Sequence, residues 1–216
     1  PPLLRRVLCG LAQLACMPLL LLALTGPWLT IFVTYELITV DEKVEFREVL
    51  MLMGVYMLVT LAILIAGIVG RRLVLWRTKP GRYPVWGVYF FRWWLARQLT
   101  SFIHLNRMQG TPLGPFVLRL LGAKVGKRVY FSGFEAGAVD LIEIGDDVML
   151  GGKLSIANAE VIGNELVIGR VAIGKDAYIG TSCALGHDTV VGEGAELSDL
   201  TALSPGMRVG AFEHWD

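Results

Sequence analysis

The sequence predicts a transmembrane α-helical hairpin followed by a left-handed parallel β-helix built from hexapeptide repeats. Two long apolar runs lie near the N-terminus, a basic and aromatic segment follows them, and aliphatic residues then recur at every sixth position. We therefore divide the chain into residues 1–70, a two-helix transmembrane hairpin, and residues 71–122, basic aromatic interfacial helices. Residues 123–216 form the predicted β-helix domain, which we expect to be incomplete at its C-terminal end.

The composition argues against a soluble protein and against a disordered one. Of the 216 residues, 54% are apolar and 18% are charged, whereas soluble domains have roughly 45–50% and about 25%. The net charge of +1 conceals a strong segregation of charge along the chain. Residues 49–134 contain twelve Lys or Arg and no acid, and residues 135–216 contain fourteen acids and four bases. Such segregation indicates that the two parts of the chain face different surroundings.

Two segments are predicted to span a membrane. Residues 49–70 carry no charge, and a helix of this length, about 33 Å, can cross the hydrocarbon core. Residues 7–33 form the second apolar run and contain Pro18 and Pro27, which membrane helices tolerate. A cleavable signal peptide is the alternative for this run, since Arg5 and Arg6 precede it. Its length and the second span that follows favour a true membrane helix.

The flanking charges predict the orientation of this hairpin. The connecting residues 36–48 hold five acids and two bases, and most of the Lys and Arg lie outside the hairpin on both sides. Because Lys and Arg are retained in the cytoplasm, both termini are expected to be cytoplasmic. We therefore predict a multi-pass protein of the cell membrane.

The segment 71–122 is predicted to lie at the membrane surface. A helix over residues 86–108 combines many aromatic side chains with positive charge only, which suits an anionic lipid headgroup region. Two faces of this helix are apolar: one carries Tyr89, Trp93, Ala96, Thr100 and Ile103, and the other carries Phe91, Leu95, Leu99 and Phe102. A second helix, residues 115–121, should end at Gly122. We expect membrane lipids as partners and no nucleic acid, because this segment directly adjoins a span.

The C-terminal part has a six-residue period. Its aliphatic positions are Ile173, Ile179, Leu185, Val191, Leu197, Leu203 and Val209, with an earlier run at Ile144, Leu150, Ile156, Ile162 and Ile168. A glycine usually follows the aliphatic residue, and a small residue comes four positions after it. In the predicted triangular prism the aliphatic side chain fills the interior, the glycine allows tight corners, and three units close one coil. A first, irregular coil should begin near Val125, and the period slips by one residue at Arg170.

Several stretches, in this order, resemble the C-terminal region of polyamino-acid nonribosomal peptide synthetases of the ε-poly-lysine synthase type. They are residues 80–86 (PGRYPVW), 92–95 (RWWL), 110–112 (Gly-Thr-Pro), 118–126 (LRLLGAKVG) and 140–145 (DLIEIG). That family alternates membrane helix pairs with hexapeptide domains that are similar to acetyltransferases. The resemblance implies an acyltransferase that joins an aminoacyl thioester to a free amine.

The resemblance also implies a cofactor and partners. The thioester would be carried on phosphopantetheine attached to an upstream carrier domain, and related hexapeptide domains, of the same chain or of other copies, would pack against this one. The sequence departs from the related acetyltransferases in having no histidine on a loop that protrudes from the prism.

His187 and Asp188 are the candidate catalytic residues, because they follow Leu185 where side chains should point outward, and a base near the amine could accept its proton. The alternative is a solvated polar pair on the outer wall. Asn158 and Glu160 interrupt the repeat and form either a polar pocket or a simple corner, and His214 lies at the chain end. Neither the three histidines nor Cys9, Cys16 and Cys183 have a metal-ligand spacing, so no metal is predicted.

Two alternative functions remain open at this point. A hexapeptide domain without catalytic activity would only scaffold active copies, and a membrane-anchored acetyltransferase would act on a sugar or another small acceptor. We expect the chain to be part of a longer protein, whose preceding residues would distinguish the synthetase from the acetyltransferase.

Overall fold

The computed structural model describes residues 3–38, 45–103 and 105–216. The N-terminal part consists of two long helices, α1 (Leu3–Ile38) and α2 (Phe46–Val74), which pack against each other. α1 is a single helix despite Pro18 and Pro27. Both helices are long and apolar enough to cross a membrane, and most of their large apolar side chains are exposed in the isolated chain. The two apolar runs are thus helical, as the sequence predicts.

Two shorter helices follow, α3 (Val88–Ser101) and α4 (Leu113–Leu120), with a 3-10 turn (Leu105–Met108) between them. The prediction of one helix over residues 86–108 was wrong at both ends. Trp86 has a positive φ of 70° and Gly87 is extended, so α3 begins at Val88. At its C-terminus, Thr100 and Ser101 donate their hydroxyls to the carbonyls of Ala96 and Gln98, and the helix ends there. α4 matches its prediction to within two residues.

α3 packs between α2 and the β-structure. The face with Trp93, Ala96 and Ile103 is buried. The opposite apolar face meets α2, where a Cβ on Gly67 would lie 3.0 Å from the Leu99 carbonyl oxygen. Glycine at this position therefore allows the two helices to approach closely.

The C-terminal part contains three parallel sheets that form the faces of a parallel β-helix. The first face contains β2 (Lys124–Val125), β5 (Ile142–Ile144), β10 (Val171–Ile173), β13 (Thr189–Val191) and β16 (Arg208–Val209). The second face contains β3 (Tyr130–Phe131), β6 (Met149–Leu150), β11 (Tyr178–Ile179), β14 (Glu196–Leu197) and β17 (His214–Trp215). The third face contains β4 (Phe134–Ala136), β7 (Leu154–Ala157), β12 (Ala184–Gly186) and β15 (Ala202–Leu203), and a 3-10 turn (Val139–Leu141) precedes β5.

The interior of the prism is filled by the periodic aliphatic residues. All seven from Ile173 to Val209 are buried, as are Ile144, Leu150 and Ile156. Paired strands of successive coils are 18 residues apart between β10 and β13, but 19 apart between β2 and β5. The inward position of these ten aliphatics and the irregular first coil are confirmed, whereas Ile162 and Ile168 of the same series lie on two further strands outside the prism, Ala159–Ile162 and Glu165–Ile168.

The structural requirement for glycine in each repeat differs from the one predicted. They do not have positive φ; the positive φ lies two residues later, at Asp147, Asp176, Ser182 and Asp188. A Cβ on Gly174 would lie 2.6 Å from the backbone nitrogen of Glu193 in the next coil. The glycine is therefore required by the close stacking of coils, and the corner itself is made by the later residue.

A β-hairpin interrupts the prism between β7 and β10. It consists of β8 (Ala159–Ile162) and β9 (Glu165–Ile168), and β9 also pairs with β1 (Gly81–Pro84) in an antiparallel sheet. Ile142 and its partner Val171 are consequently 29 residues apart. The prediction that Ile162 points inward was wrong: it lies on the hairpin and is 52% exposed. This insertion is the physical reason for the slip of the period at Arg170.

Candidate functional site

The predicted pair His187 and Asp188 lies at the corner where the third coil passes from the third face to the first. Asp188 has a φ of 60°, and its Oδ2 lies 3.2 Å from Nδ1 of His187. Asp188 is exposed, whereas only 15% of the His187 side chain is exposed. The corner stands one coil above the base of the hairpin, since Oδ1 of Asp188 accepts a hydrogen bond from the Arg170 backbone at 3.0 Å.

The same bond recurs at other corners of the prism. Oδ1 of Asp199 accepts from the Thr181 backbone at 2.6 Å, and Oδ1 of Asp146 accepts from the Lys127 backbone at 2.5 Å. Each carboxylate thus satisfies a backbone N–H of the preceding coil. Asp188 therefore has a structural role, and a catalytic role of His187 and Asp188 stays a prediction.

The other histidines lie elsewhere. His214 is on the second face in the last coil, with Nδ1 3.2 Å from Glu196 and Nε2 3.0 Å from Asp216. His104 lies outside the described residues. Within the described ranges, no three His, Cys, Asp or Glu side chains are grouped as metal ligands.

A trough runs between α3 and the third face of the prism. Two adjoining cavities of about 480 Å³ and about 490 Å³ form it. They share a common set of lining residues, Trp93, Arg97, Glu135, Ala136 and Gly137. The first cavity extends toward α2, and the second extends along Ser155 to Glu160 and Val161 of the hairpin. Volumes of this size are typical of ligand-binding sites.

The indole ring of Trp93 holds α3 against the prism at this wall of the trough. Trp93 is buried and donates from Nε1 to the Gly137 carbonyl at 3.3 Å. Arg97 follows one helical turn later, so its guanidinium lies over the same ring, 5.7 Å from the ring centroid. This contact positions Arg97 at the rim of the trough.

Two carboxylates, Glu135 and Glu160, line the prism side of the trough. Both side chains are exposed. Among the described residues, no Lys, Arg or His lies within ion-pair distance of either one. Glu135 points outward from β4 beside Ser155 of β7, and Glu160 lies on β8. The trough therefore offers negative charge that the described side chains leave unneutralised.

A buried ion pair lies at the end of the trough near α2, where Arg71 lines the first cavity. Nη2 of Arg71 lies 2.8 Å from Oδ1 of Asp140, and each side chain is 8% exposed. Thr78 donates to the same carboxylate from its backbone nitrogen at 2.6 Å and from its hydroxyl at 2.8 Å. Arg71 also donates to the Leu121 carbonyl. These bonds fasten the end of α2 to the β-helix.

Asn158 and Glu160 have separate roles. Asn158 is fully buried; its Oδ1 accepts from the Ala138 backbone at 2.9 Å and its Nδ2 donates to the Ala138 carbonyl at 2.7 Å. It anchors the base of the hairpin and does not line the trough. Glu160 does line it. The stretch is therefore neither a polar pocket shared by both residues nor a simple corner, because it begins the β8–β9 hairpin.

Glu135 is the residue of this trough that our sequence reasoning missed. It is the first acid after the acid-free stretch 49–134, and this abrupt change of charge was a usable signal. Trp93 and Arg97 were identified only as parts of the interfacial helix. Their four-residue spacing indicates one helix face, but the sequence does not show what that face meets.

The chain is similar to part of a larger enzyme. It is 32% identical over 211 residues to δ-poly-L-ornithine synthetase of Acinetobacter baumannii (strain AB307-0294), and the match covers 97% of this chain. The chain spans only 16% of the length of that relative. No family model matches the chain.

Two solved structures are weakly similar. A hexapeptide-repeat acetyltransferase of Vibrio cholerae is 15% identical with a TM-score of 0.38, covering 50% of this chain and 80% of that one. Serine acetyltransferase isoform 3 of Entamoeba histolytica is 12% identical with a TM-score of 0.19, covering 96% of this chain and 62% of that one. Neither score carries the fold assignment, which rests on the parallel strand pairing described above. In sequence, the chain is similar along nearly its whole length to one segment of a δ-poly-L-ornithine synthetase.

Proposed function

We propose that this chain is an acyltransferase-like segment of a membrane-bound nonribosomal peptide synthetase that makes a polymer of a basic amino acid. The observation that carries the proposal is the 32% identity to δ-poly-L-ornithine synthetase over 97% of the chain. The parallel β-helix supports it, because the family that the sequence resembles has hexapeptide domains similar to acetyltransferases. We propose a left-handed coil for this β-helix and an ornithine-like amino acid as the substrate.

The proposed reaction is the aminolysis of a thioester. The neutral amine nitrogen attacks the thioester carbonyl, the C–N bond forms, and the C–S bond breaks. The proton lost by nitrogen ends on the leaving thiolate, so the products are one amide and one free thiol. The thiol belongs to phosphopantetheine on a carrier domain elsewhere in the complete protein. A base near the amine would keep it neutral, and donors near the carbonyl would stabilise the oxyanion.

His187 and Asp188 are the proposed base and its partner. In the complete protein, His187→Ala should lower the rate of amide formation at least about a hundredfold, since general base catalysis contributes on that scale. His214→Ala is the matched control, because His214 also contacts a carboxylate but lies on the second face. Transfer from a labelled aminoacyl thioester is the measurement.

Two outcomes count against parts of this proposal. If His187→Ala and His214→Ala reduce the rate equally little, the catalytic assignment is wrong, and the corner role of Asp188 then favours a scaffold domain without catalytic activity. If amide formation is unaffected by Ile179→Asp, which should disrupt the prism, the domain does not perform the transfer at all.

The proposal places the domain beside the membrane. We propose that α1 and α2 span the cell membrane with both ends in the cytoplasm, and that lipid headgroups contact the basic segment around α3. Exposed Trp76 and the Arg6 guanidinium, 6.0 Å from the centroid of the Trp86 ring, support this placement. Such a combination of cationic and aromatic groups suits the headgroup boundary.

A further inference from the structure

We propose that the trough between α3 and the third face binds the acceptor of the reaction, an extended chain of amine-bearing aminoacyl units. This inference rests on the proposed function and deepens it, because it assigns the acceptor to a place in the molecule. The trough is separate from the corner of His187 and Asp188, neither of which lines it.

The shape of the trough fits an extended chain. Its floor on the prism side consists of short side chains and backbone, at Ala136, Gly137, Ser155 and Ala157. Its opposite wall is the flat ring of Trp93 with Ala96 and Thr100 beyond it. The two cavities share five lining residues, and their combined lining extends from Arg71 of α2 to Glu160 and Val161 of the hairpin.

The charge of the trough selects cations. Glu135 and Glu160 line the open space. Among the described residues, no cation lies within ion-pair distance of either carboxylate. Arg97, a cation that lines both cavities, lies over the Trp93 ring. Two separated carboxylates along one trough would pair with ammonium groups that repeat along a polymer, and charged partners strengthen such hydrogen bonds.

The two ends of the trough differ in their charged side chains. The Arg71 and Asp140 side chains pair with each other. Asp140 also accepts hydrogen bonds from Thr78, and Arg71 donates to the Leu121 carbonyl. Arg71 lines the first cavity and Asp140 lines neither one, so Glu135 and Glu160 are the carboxylates available to the ligand. At the other end, Glu160 and Val161 of the hairpin line the second cavity.

The test measures binding of a tetramer of ornithine to the chain in lipid nanodiscs, with the fully N-acetylated tetramer as the neutral probe. The double variant Glu135→Gln/Glu160→Gln should weaken binding of the cationic tetramer about tenfold or more, the scale expected for lost charged hydrogen bonds. Glu165→Gln is the matched control: it lies on the same hairpin, exposed, and pairs with Arg82 at 3.7 Å outside the trough. This control should leave the dissociation constant unchanged.

A second pair of variants tests the space rather than the charge. Ser155 lies on the trough floor, and Ala184 is its partner one coil further along the same face, outside the lining. Ser155→Trp should block the trough and weaken binding about tenfold, and Ala184→Trp should not. Circular dichroism of both variants verifies that the β-helix is intact.

The outcomes separate this inference from the proposed function. Equal binding by all variants, or equal binding of the acetylated tetramer, overturns the trough as the acceptor site. Amide formation that keeps its KM for the acceptor in Glu135→Gln/Glu160→Gln also overturns it, while the acyltransfer function stands. If the complete protein makes no amide but the binding pattern holds, the proposed reaction is wrong and the cationic binding site stands.

Discussion

Among single residues, Asp140 makes the most consequential contacts. Its carboxylate accepts hydrogen bonds from Arg71 of α2 and from both donors of Thr78, in a place where little solvent reaches. A buried pair of this kind adds little net stability over an apolar one, but the loss of one partner leaves an uncompensated charge. Asp140 therefore holds α2 to the β-helix mainly through the cost of separating the pair.

Asp140→Ala should reduce the free energy of unfolding by about 3–5 kcal/mol, because Arg71 is left buried without its counter-charge. Denaturant-induced unfolding in detergent, followed by tryptophan fluorescence, measures this loss. Glu143→Ala serves as control, since Glu143 forms an exposed pair with Lys124 at 2.7 Å, and such pairs contribute about 1 kcal/mol or less. Equal effects of the two variants would contradict the role of the buried pair.

Tyr89 makes the protein sensitive to high pH. Burial raises the pKa of its hydroxyl to about 12, against a hydrogen bond from the Lys79 backbone at 3.0 Å that acts in the opposite direction. A pKa raised in the folded state contributes stability that is complete below pH 10 and is lost as the pH rises from about 10 to about 12. Tyr89→Phe should remove the component near pH 12 from the tyrosinate absorbance titration. Tyr178→Phe, on the exposed second face, should leave that component in place.

Among the elements, the hairpin β8–β9 changes how the repeat must be interpreted. Ile162 keeps the six-residue period yet is exposed, and Ile168 keeps it while packing in a second core with Val85, Phe90 and Trp93. The hairpin thus joins the β-helix to β1 and α3. Glu160 and Val161 of the hairpin also line the trough.

Aspartate substitutions distinguish true prism positions from the hairpin position. Ile179→Asp should destabilise the β-helix by well over 1 kcal/mol and disturb neighbouring coils, because it buries an unpaired carboxylate. Ile162→Asp should change the free energy of unfolding by about 0.5 kcal/mol or less, as is usual at the surface. Denaturant unfolding of both variants measures the contrast. A loss below about 1 kcal/mol for Ile179→Asp would contradict its inward position.

At the scale of the whole molecule, the second face is the surface we expect to meet a related prism. Tyr130, Met149 and Tyr178 form a ladder of exposed side chains on successive coils. Exposed apolar patches indicate interaction surfaces. If the hairpins hold two copies upright in one membrane, residues at the same height meet, so Met149 would face Met149.

Crosslinking in membranes tests this arrangement. With the three native cysteines replaced by alanine, Met149→Cys should form a crosslinked dimer, whereas Ala172→Cys on the first face should not. A dimer at Ala172 with none at Met149 would show that a different face is used. If neither position crosslinks, copies of this chain do not pack against each other through the first or the second face.

Cysteine labelling tests the membrane orientation. Residue 42 belongs to the acidic connection between α1 and α2 and lies outside the described residues, so its exposure to the medium stays a prediction. Glu42→Cys should react with an impermeant reagent in intact cells, because the Lys and Arg distribution places this connection outside. Reaction only after permeabilisation would reverse the orientation.

The sequence by itself determined the elements whose cause is local. Residues 49–70 are apolar throughout, and any helix they form must bury that surface in lipid or protein. The positions from Ile173 to Val209 specify coils because each six-residue unit packs against an equivalent unit 18 residues away. These patterns act within one helix or one repeat, and they can be recognised without knowledge of the rest of the chain.

The tertiary structure alone decided where the repeat is interrupted and what the trough contains. Ile162 matches the period as well as Ile156 does, and only the pairing of β8 with β9, and of β9 with β1, takes it out of the prism. Arg71 and Asp140 are 69 residues apart, and Arg97 reaches the same trough as Glu160 from a different element. Such contacts depend on how the helices dock on the β-helix, and docking is set by the combined shape and charge of both surfaces rather than by any local period.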